Sequence, residues 1–308
     1  MKLQFLELPD AERRLYVEQA AIRRGFSPVI MEKDFWVCWL LSILFESEFA
    51  GDLVFKGGTS LSKVFGVIDR FSEDIDLSLS PQFLNLPETG TTRTQANKWM
   101  AKAEAACSLA VQNLIAPVLE AAAINAIGNR SEAWFEFFTD PATHSPVLLF
   151  HYPATQPDGF AYLKRSVKLE FGSLTDQQPT FWEKATILHT EFHRPADKPT
   201  PDRFSRHYAD TAALANHPDA SNAASDHEMR NRVVHWKSRF FGSSWARYEE
   251  AVPGSFRIVP PPARLSSLKQ DYQAMHDMYL SEPASFDDIL TALARLEESI
   301  NGIGPTDG

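Results

Sequence analysis

Two carboxylates and two glycines are the residues of this chain whose types and spacing could do chemistry. Asp74 and Asp76 alternate with apolar neighbours in Asp74-Ile75-Asp76-Leu77-Ser78-Leu79. In a strand, positions i and i+2 share a face, so this pattern predicts two adjacent carboxylates with Ile75, Leu77 and Leu79 turned the other way. Carboxylates held so close repel unless a cation stands between them, and a divalent ion that prefers oxygen is the usual answer. Upstream, Gly57-Gly58 stops the bulky apolar run Leu53-Val54-Phe55. That predicts a strand ending at Lys56 and a turn where the backbone can come close to a ligand. A helix through Leu61, Val64 and Phe65 is expected next, capped by Thr59 or Ser60. Its free N–H groups and positive end suit a phosphate. Alone, Gly-Gly reads as a plain tight turn and Asp-x-Asp as a solvated strand edge. In this order, a phosphate cradle at Gly57, Gly58, Thr59 and Ser60 followed by the Asp74/Asp76 pair describes a nucleotide site. Metal ions there would orient a triphosphate and offset charge as a phosphoryl or nucleotidyl group moves.

The elements that must position these residues follow from periodicity. Ala11 to Arg24 and Met31 to Phe45 read as helices separated by Pro28. The second is rich in Trp and Leu, which makes Trp36 and Trp39 core residues, with Glu32-Lys33-Asp34 in its first turn. Pro81 to Thr94 reads as a loop, and Gln95 to Ile124 as an alanine-rich helix interrupted at Pro117. Trp134 to Phe138, Pro146 to Tyr152 and Arg165 to Phe171 are β-like runs that extend the sheet. In the last run Val167, Leu169 and Phe171 face one way, Lys168 and Glu170 the other. Ser173 to Thr180 has no apolar period and marks a domain boundary, beyond which the chain reads as helical. The expected organisation is a first domain over 1–175, a helical domain over 176–301 and a disordered tail over 302–308.

In the helical half, His189 and His193 stand at i, i+4, but Glu191 lies one place too late for a zinc-protease motif. Asp202 is a candidate cap for a helix over Arg203 to Asn216, on which Arg203, Arg206, His207 and Asp210 form one polar stripe. Arg230, Arg232, Lys237 and Arg239 mix with Trp236 and two phenylalanines in Arg230 to Phe241. This suits contacts to RNA phosphates and stacked bases, and equally a helix with a basic outer face.

The order Gly-Gly, then Asp-x-Asp, resembles the DNA polymerase β-like nucleotidyltransferase superfamily. GGTSLSKVFGVIDRFSEDIDLSLS is similar to the AbiEii/AbiGii toxin family of nucleotidyltransferases, and the likeness continues in KLEFGSL, FWEKATILHTEFHRP and RFSRHYAD. The resemblance implies an α+β protein, a mixed-sheet polymerase β-like nucleotidyltransferase domain followed by a helical domain. It implies Mg²⁺, or Mn²⁺, held by Asp74, Asp76 and a third carboxylate at Glu170. Lys184 becomes a cation near the triphosphate and Asp210 a functional residue of the stripe. An RNA acceptor would need cations despite the acidic chain, which makes Arg203 and Arg206 further candidates for nucleic-acid contact. The implied reaction moves a nucleotide from an NTP to an RNA acceptor, tRNA foremost, within a toxin–antitoxin system whose antitoxin is encoded nearby. Nucleotidylation of a protein hydroxyl, or a non-catalytic binding module of the same fold, remain alternatives. For Glu170 and Lys184 the plain readings are a Lys/Glu surface stripe and a helix-surface lysine.

Composition sets independent bounds. The 308 residues suffice for about two domains, and 44% hydrophobic with 23% charged residues is ordinary for a globular protein. A net charge of −10 argues against nucleic-acid binding by the whole surface and leaves room for a local basic track. Two cysteines, Cys38 and Cys107, read as small core residues in a reducing cytosol. The N-terminus has no signal-peptide pattern, and the apolar run from Phe35 is too short to span a bilayer, so a cytoplasmic protein without a membrane partner is expected.

Overall fold

A computed structural model describes residues 4–87, 93–141, 143–157, 164–173, 180–218 and 220–302. Three features expected from sequence fall outside them: most of the boundary segment, at 174–179, the glycine of the loop at 88–92, and the tail at 303–308. The chain divides into two compact units, one of residues 1–64 and 71–177, the other of 65–70 and 178–308.

The first unit is built on five strands: β1 (Leu53–Lys56), β2 (Asp74–Leu79), β3 (Phe135–Thr139), β4 (Pro146–Phe150) and β5 (Val167–Gly172), in the order β1-β2-β5-β4-β3. Only β2 and β5 run parallel; the other pairs are antiparallel. Alternation sorts the sheet's two faces. Ile75, Leu77, Leu79, Leu169 and Phe171 are buried on one, while Asp74, Asp76, Lys168 and Glu170 are half-buried on the other. The apolar face meets helix α2 (Pro28–Glu46) and the helical stretch α4 (Arg93–Ala110) and α5 (Ala116–Ile127) in a single core, and α1 (Asp10–Arg24) packs against α2. Trp36 and Trp39 lie in it as expected, their rings 5.6 Å from Phe150 in each case. Each such buried side chain contributes roughly 1.5–3 kcal/mol.

Several local expectations are corrected. Pro28 opens α2 rather than separating helices, because the first helical position needs no N–H. Glu32 and Lys33 are not in the first turn of α2, which begins at Pro28, and both are buried. Glu32 accepts hydrogen bonds from Thr155 N (2.6 Å), Thr155 Oγ1 (2.6 Å) and Gln156 N (3.3 Å). Lys33, 2% exposed, donates to Glu73 (2.8 Å) and the Lys164 carbonyl (3.2 Å), tying α2 to the residues just ahead of β2 and β5. Pro117 does not interrupt the helix; a π turn over Val111–Ile115 carries the chain into α5, whose first turn tolerates the proline. Residues 97–127 are long and apolar enough to cross a membrane by length and composition, which the run from Phe35 is not. Its buried stripe, Ala103, Cys107, Ala110, Val111, Ile115, Leu119 and Ala123, belongs to the core. Cys107 is a core residue, but Cys38 is exposed.

The second unit is helical: α6 (Thr180–Phe192), α7 (Ser205–Ala215), α8 (Ala220–Ser225), α9 (His227–Phe240), α10 (Pro262–Ala274) and α11 (Phe286–Ile300). Trp182, Tyr208, Phe256, Leu268 and Leu293 are central to its core. Phe286, Ile289, Leu293, Leu296 and Ile300 give α11 a clean buried stripe, and Ser285 caps it by accepting from Asp288 N (3.1 Å). Helix α7 starts at Ser205, two residues later than expected, because Arg203 has a φ of 60°. Its first turn is held by Asp271 of α10, which accepts from Arg203 N (2.6 Å) and Ser205 N (2.9 Å), and not by Asp202. The 65–70 segment joins this unit through an antiparallel bridge of Arg70 with Tyr279 and a bond from Leu280 N to the Asp69 carbonyl (3.0 Å).

Candidate active site

Strand β1 ends at Lys56, the chain turns at Gly57 with φ +73°, and helix α3 (Gly57–Lys63) begins at once. The positive φ is one that side-chain-bearing residues rarely adopt. A second constraint acts at the same place. A Cβ on Gly57 would lie 1.9 Å from Asp76 Oδ2, so the carboxylate of Asp76 fills the space that the glycine leaves open. The turn and the Asp-x-Asp strand, separate in sequence, are thus one packed unit. The expected caps are absent: Thr59 Oγ1 donates to the Asp74 carbonyl and Ser60 Oγ to the Gly57 carbonyl at 3.0 Å. Thr59 therefore ties α3 to the start of β2. Helix α3 also stops at Lys63, leaving Val64 and Phe65 64% and 43% exposed rather than on an inner face.

Across the sheet Asp76 stands opposite Lys56 on β1 and Glu170 on β5, and Asp74 stands opposite Lys168. All three predicted carboxylates therefore share one face. Lys168, which the sequence offered only as part of a Lys/Glu surface stripe, stands among these carboxylates. Its ammonium donates to Glu170 at 2.7 Å and lies 3.5 Å from Asp140. Burial acts to lower its pKa, but Glu170, Asp74 and Asp140 outweigh it, and the pKa is raised. Its two-residue offset from Glu170, on the polar face of β5, was the available signal.

Among the described residues no three His, Cys, Asp or Glu side chains are grouped closely enough to hold a metal. The pair Asp74 and Asp76 nonetheless fits a hard divalent ion. It offers only carboxylate oxygens, and Mg²⁺ commonly takes one or two carboxylates with the remaining positions left to water and substrate phosphates.

The second unit places Lys184 and Asp210 together. Asp210, 1% exposed, accepts from Lys184 Nζ (2.7 Å) and from both Arg70 Nε and Nη2 (2.9 Å each). Burial alone would raise the Asp210 pKa; Arg70 and Lys184 reverse this and hold it well below the carboxylate range. His207 Nδ1 is 3.4 Å from Lys184 Nζ, and burial, then the nearby Lys184 and Arg206 charges, keep this ring neutral. The polar stripe of α7 is thus a buried network at its His207–Asp210 end rather than a solvated face, while Arg203 and Arg206 are half-buried. Arg70 is separated from Asp210 by 140 positions and carries no local signal.

His189 is a core residue. It is hydrogen-bonded to the Arg247 carbonyl (3.0 Å) and accepts from Arg257 N (3.0 Å), which commits both nitrogens. A metal pair with His193 is thereby excluded. Arg230 is also withdrawn from the proposed basic track: it is 5% exposed, with its guanidinium 5.8 Å from the centre of the Trp182 ring. Arg232 is exposed, and Lys237 and Arg239 are half-buried on α9.

A five-stranded mixed sheet with paired carboxylates beside a glycine turn, followed by helices, is the arrangement of a nucleotidyltransferase. The chain matches the family model described as nucleotidyl transferase AbiEii toxin, type IV TA system, over residues 39–180 and 176–292. It belongs to that family, and so is a transferase of a toxin–antitoxin class for which an NTP substrate and a cognate antitoxin follow. No curated protein and no solved structure matches it.

Proposed function

We propose that this protein transfers a nucleotide from an NTP to an RNA acceptor, tRNA foremost, with Mg²⁺ or Mn²⁺, and acts in the cytoplasm to arrest growth. The observation that carries the reading is the packing of the Asp76 carboxylate into the space at Gly57, which joins the phosphate turn to the carboxylate pair. Asp74 and Asp76 would hold the ion, which when bound supplies charge neutralisation for the triphosphate. Gly57, Gly58, Thr59 and Ser60 shape the phosphate cradle. Glu170 adds a third carboxylate on the same face, and Lys168 keeps that face from accumulating uncompensated negative charge. The acceptor hydroxyl attacks the α-phosphorus and gives up its proton to solvent; the new O–P bond forms as the α–β phosphoanhydride bond breaks, and pyrophosphate leaves. To Lys184 and Asp210 the family likeness gives a role toward the nucleotide.

The test is incubation of the purified protein with each labelled NTP, Mg²⁺, total RNA and a protein extract. Label is expected in RNA, and label confined to protein would overturn the RNA acceptor. Asp76→Asn should lose at least a thousandfold in transfer while keeping the parent's circular dichroism and Tm within a few degrees, because it removes charge and not core volume. A folded Asp76→Asn protein with normal transfer would remove Asp76 from the chemistry.

A further inference from the structure

Asp210 is held by two cations, one rigid and one flexible. Arg70 grips both carboxylate oxygens through a planar fork, at 2.9 Å on each side. Lys184 reaches one of the same oxygens with a single ammonium at 2.7 Å, and its other contact is the 3.4 Å approach to neutral His207. All three charged side chains are buried, at 3%, 8% and 1% exposure for Arg70, Lys184 and Asp210. A carboxylate in such a place must keep a partner, since an unpaired buried charge is very costly. If Lys184 were its sole partner, moving the ammonium to a substrate phosphate would strand the carboxylate. With Arg70 in place, Asp210 stays compensated when Lys184 leaves.

We propose that Arg70 is a positioning residue for the nucleotide: it secures Asp210 so that Lys184 can be lent to a phosphate. This rests on the reading of Lys184 as a phosphate ligand. The two cations have different jobs because their chemistry differs. A guanidinium matches a carboxylate in two parallel hydrogen bonds and holds its place, whereas an ammonium on a four-carbon stem can swing between acceptors. Arg70 thus acts through Asp210 and Lys184 and need not touch the substrate.

The experiment measures binding of NTP, and of inorganic tripolyphosphate as a base-free probe, by calorimetry on the full chain. The proteins compared are the parent, Arg70→Met, Lys184→Met, the double variant and Arg70→Lys, each checked for folding by circular dichroism. Lys184→Met should weaken both ligands at least tenfold. Arg70→Met should weaken them nearly as much although Lys184 is present, and the double variant should be no weaker than Lys184→Met, because both changes remove one interaction. Arg70→Lys, which keeps the charge and gives up the fork, should recover at least half of the loss on a logarithmic scale. It also serves if Arg70→Met does not fold.

Parent-like binding in folded Arg70→Met, multiplicative losses in the double variant, or Arg70→Lys no better than Arg70→Met would each overturn the proposal. Parent-like binding by Lys184→Met would end both the lending role and the phosphate role of Lys184. The carboxylate site is judged separately, by transfer in Asp76→Asn.

Discussion

Gly57 is the position where a single methyl group should have the greatest reach. Gly57→Ala places a Cβ where Asp76 Oδ2 now sits, 1.9 Å away, and forces a φ of +73° on an L side chain. The backbone strain costs about 1–3 kcal/mol. The clash is relieved most readily by swinging the Asp76 carboxylate aside, since it is the far end of a side chain. Transfer should therefore fall at least tenfold, well beyond what the stability loss explains, and Gly57→Ala combined with Asp76→Asn should be no worse than Asp76→Asn alone. A variant with lowered Tm but parent-like transfer would make Gly57 a structural turn only. The glycines and aspartates were legible because both are local patterns, one ending an apolar run and one alternating along a strand. Their contact was not, because it depends on the register that sets Lys56 opposite Asp76.

At the scale of elements, three histidines have lowered pKa values: His189 on α6, His193 just past its end and His207 on α7. Burial is the leading cause in each, followed by neighbouring positive charge at His207. An unfolded histidine titrates near about 6.5, so below that pH the unfolded chain binds protons that the folded rings refuse. Stability is then fully present above about pH 6.5 and is lost as pH falls toward the folded values, by at most about 1.4 kcal/mol per pH unit for each ring. Asp210, held ionised far below this window, adds nothing to the slope. Urea midpoints taken from pH 7.5 down to 5 should decline, and His207→Gln should make the decline shallower. A parent protein with a flat profile over that range would contradict the burial of these rings. Helix α11 is an element that sequence can show, because Phe286 to Ile300 repeats its apolar residues at helical spacing. Sequence reasoning misplaced the start of α7, because the group that organises that turn, Asp271, comes from 66 residues beyond Ser205. The same limit hid Lys33 with Glu73: a buried ion pair between distant segments leaves no periodic trace.

Over the whole molecule, a net charge of −10 repels a polyanion, so RNA must be met by a local concentration of cations. Burial of Arg230 reduces the track on α9 to exposed Arg232 and half-buried Lys237 and Arg239. If these three neutralise phosphates, replacing them together by glutamine should weaken RNA binding. It should also flatten the dependence of log K on log salt by about 0.7 for each single-strand phosphate left without its cation, because fewer counterions are released. Filter binding of total tRNA between about 50 and 200 mM salt reads both quantities. NTP affinity should stay within twofold of the parent, since none of the three belongs to the glycine turn, the Asp74/Asp76 pair or the Lys184 network. A triple variant that binds and modifies tRNA like the parent at every salt concentration would make the outer side of α9 an ordinary solvated surface. The acceptor would then have to be held by other cations, with Arg203 and Arg206 next to be tested. A triple variant that loses NTP affinity as well would show instead that the substitutions had disturbed the fold, which circular dichroism on the same samples would reveal.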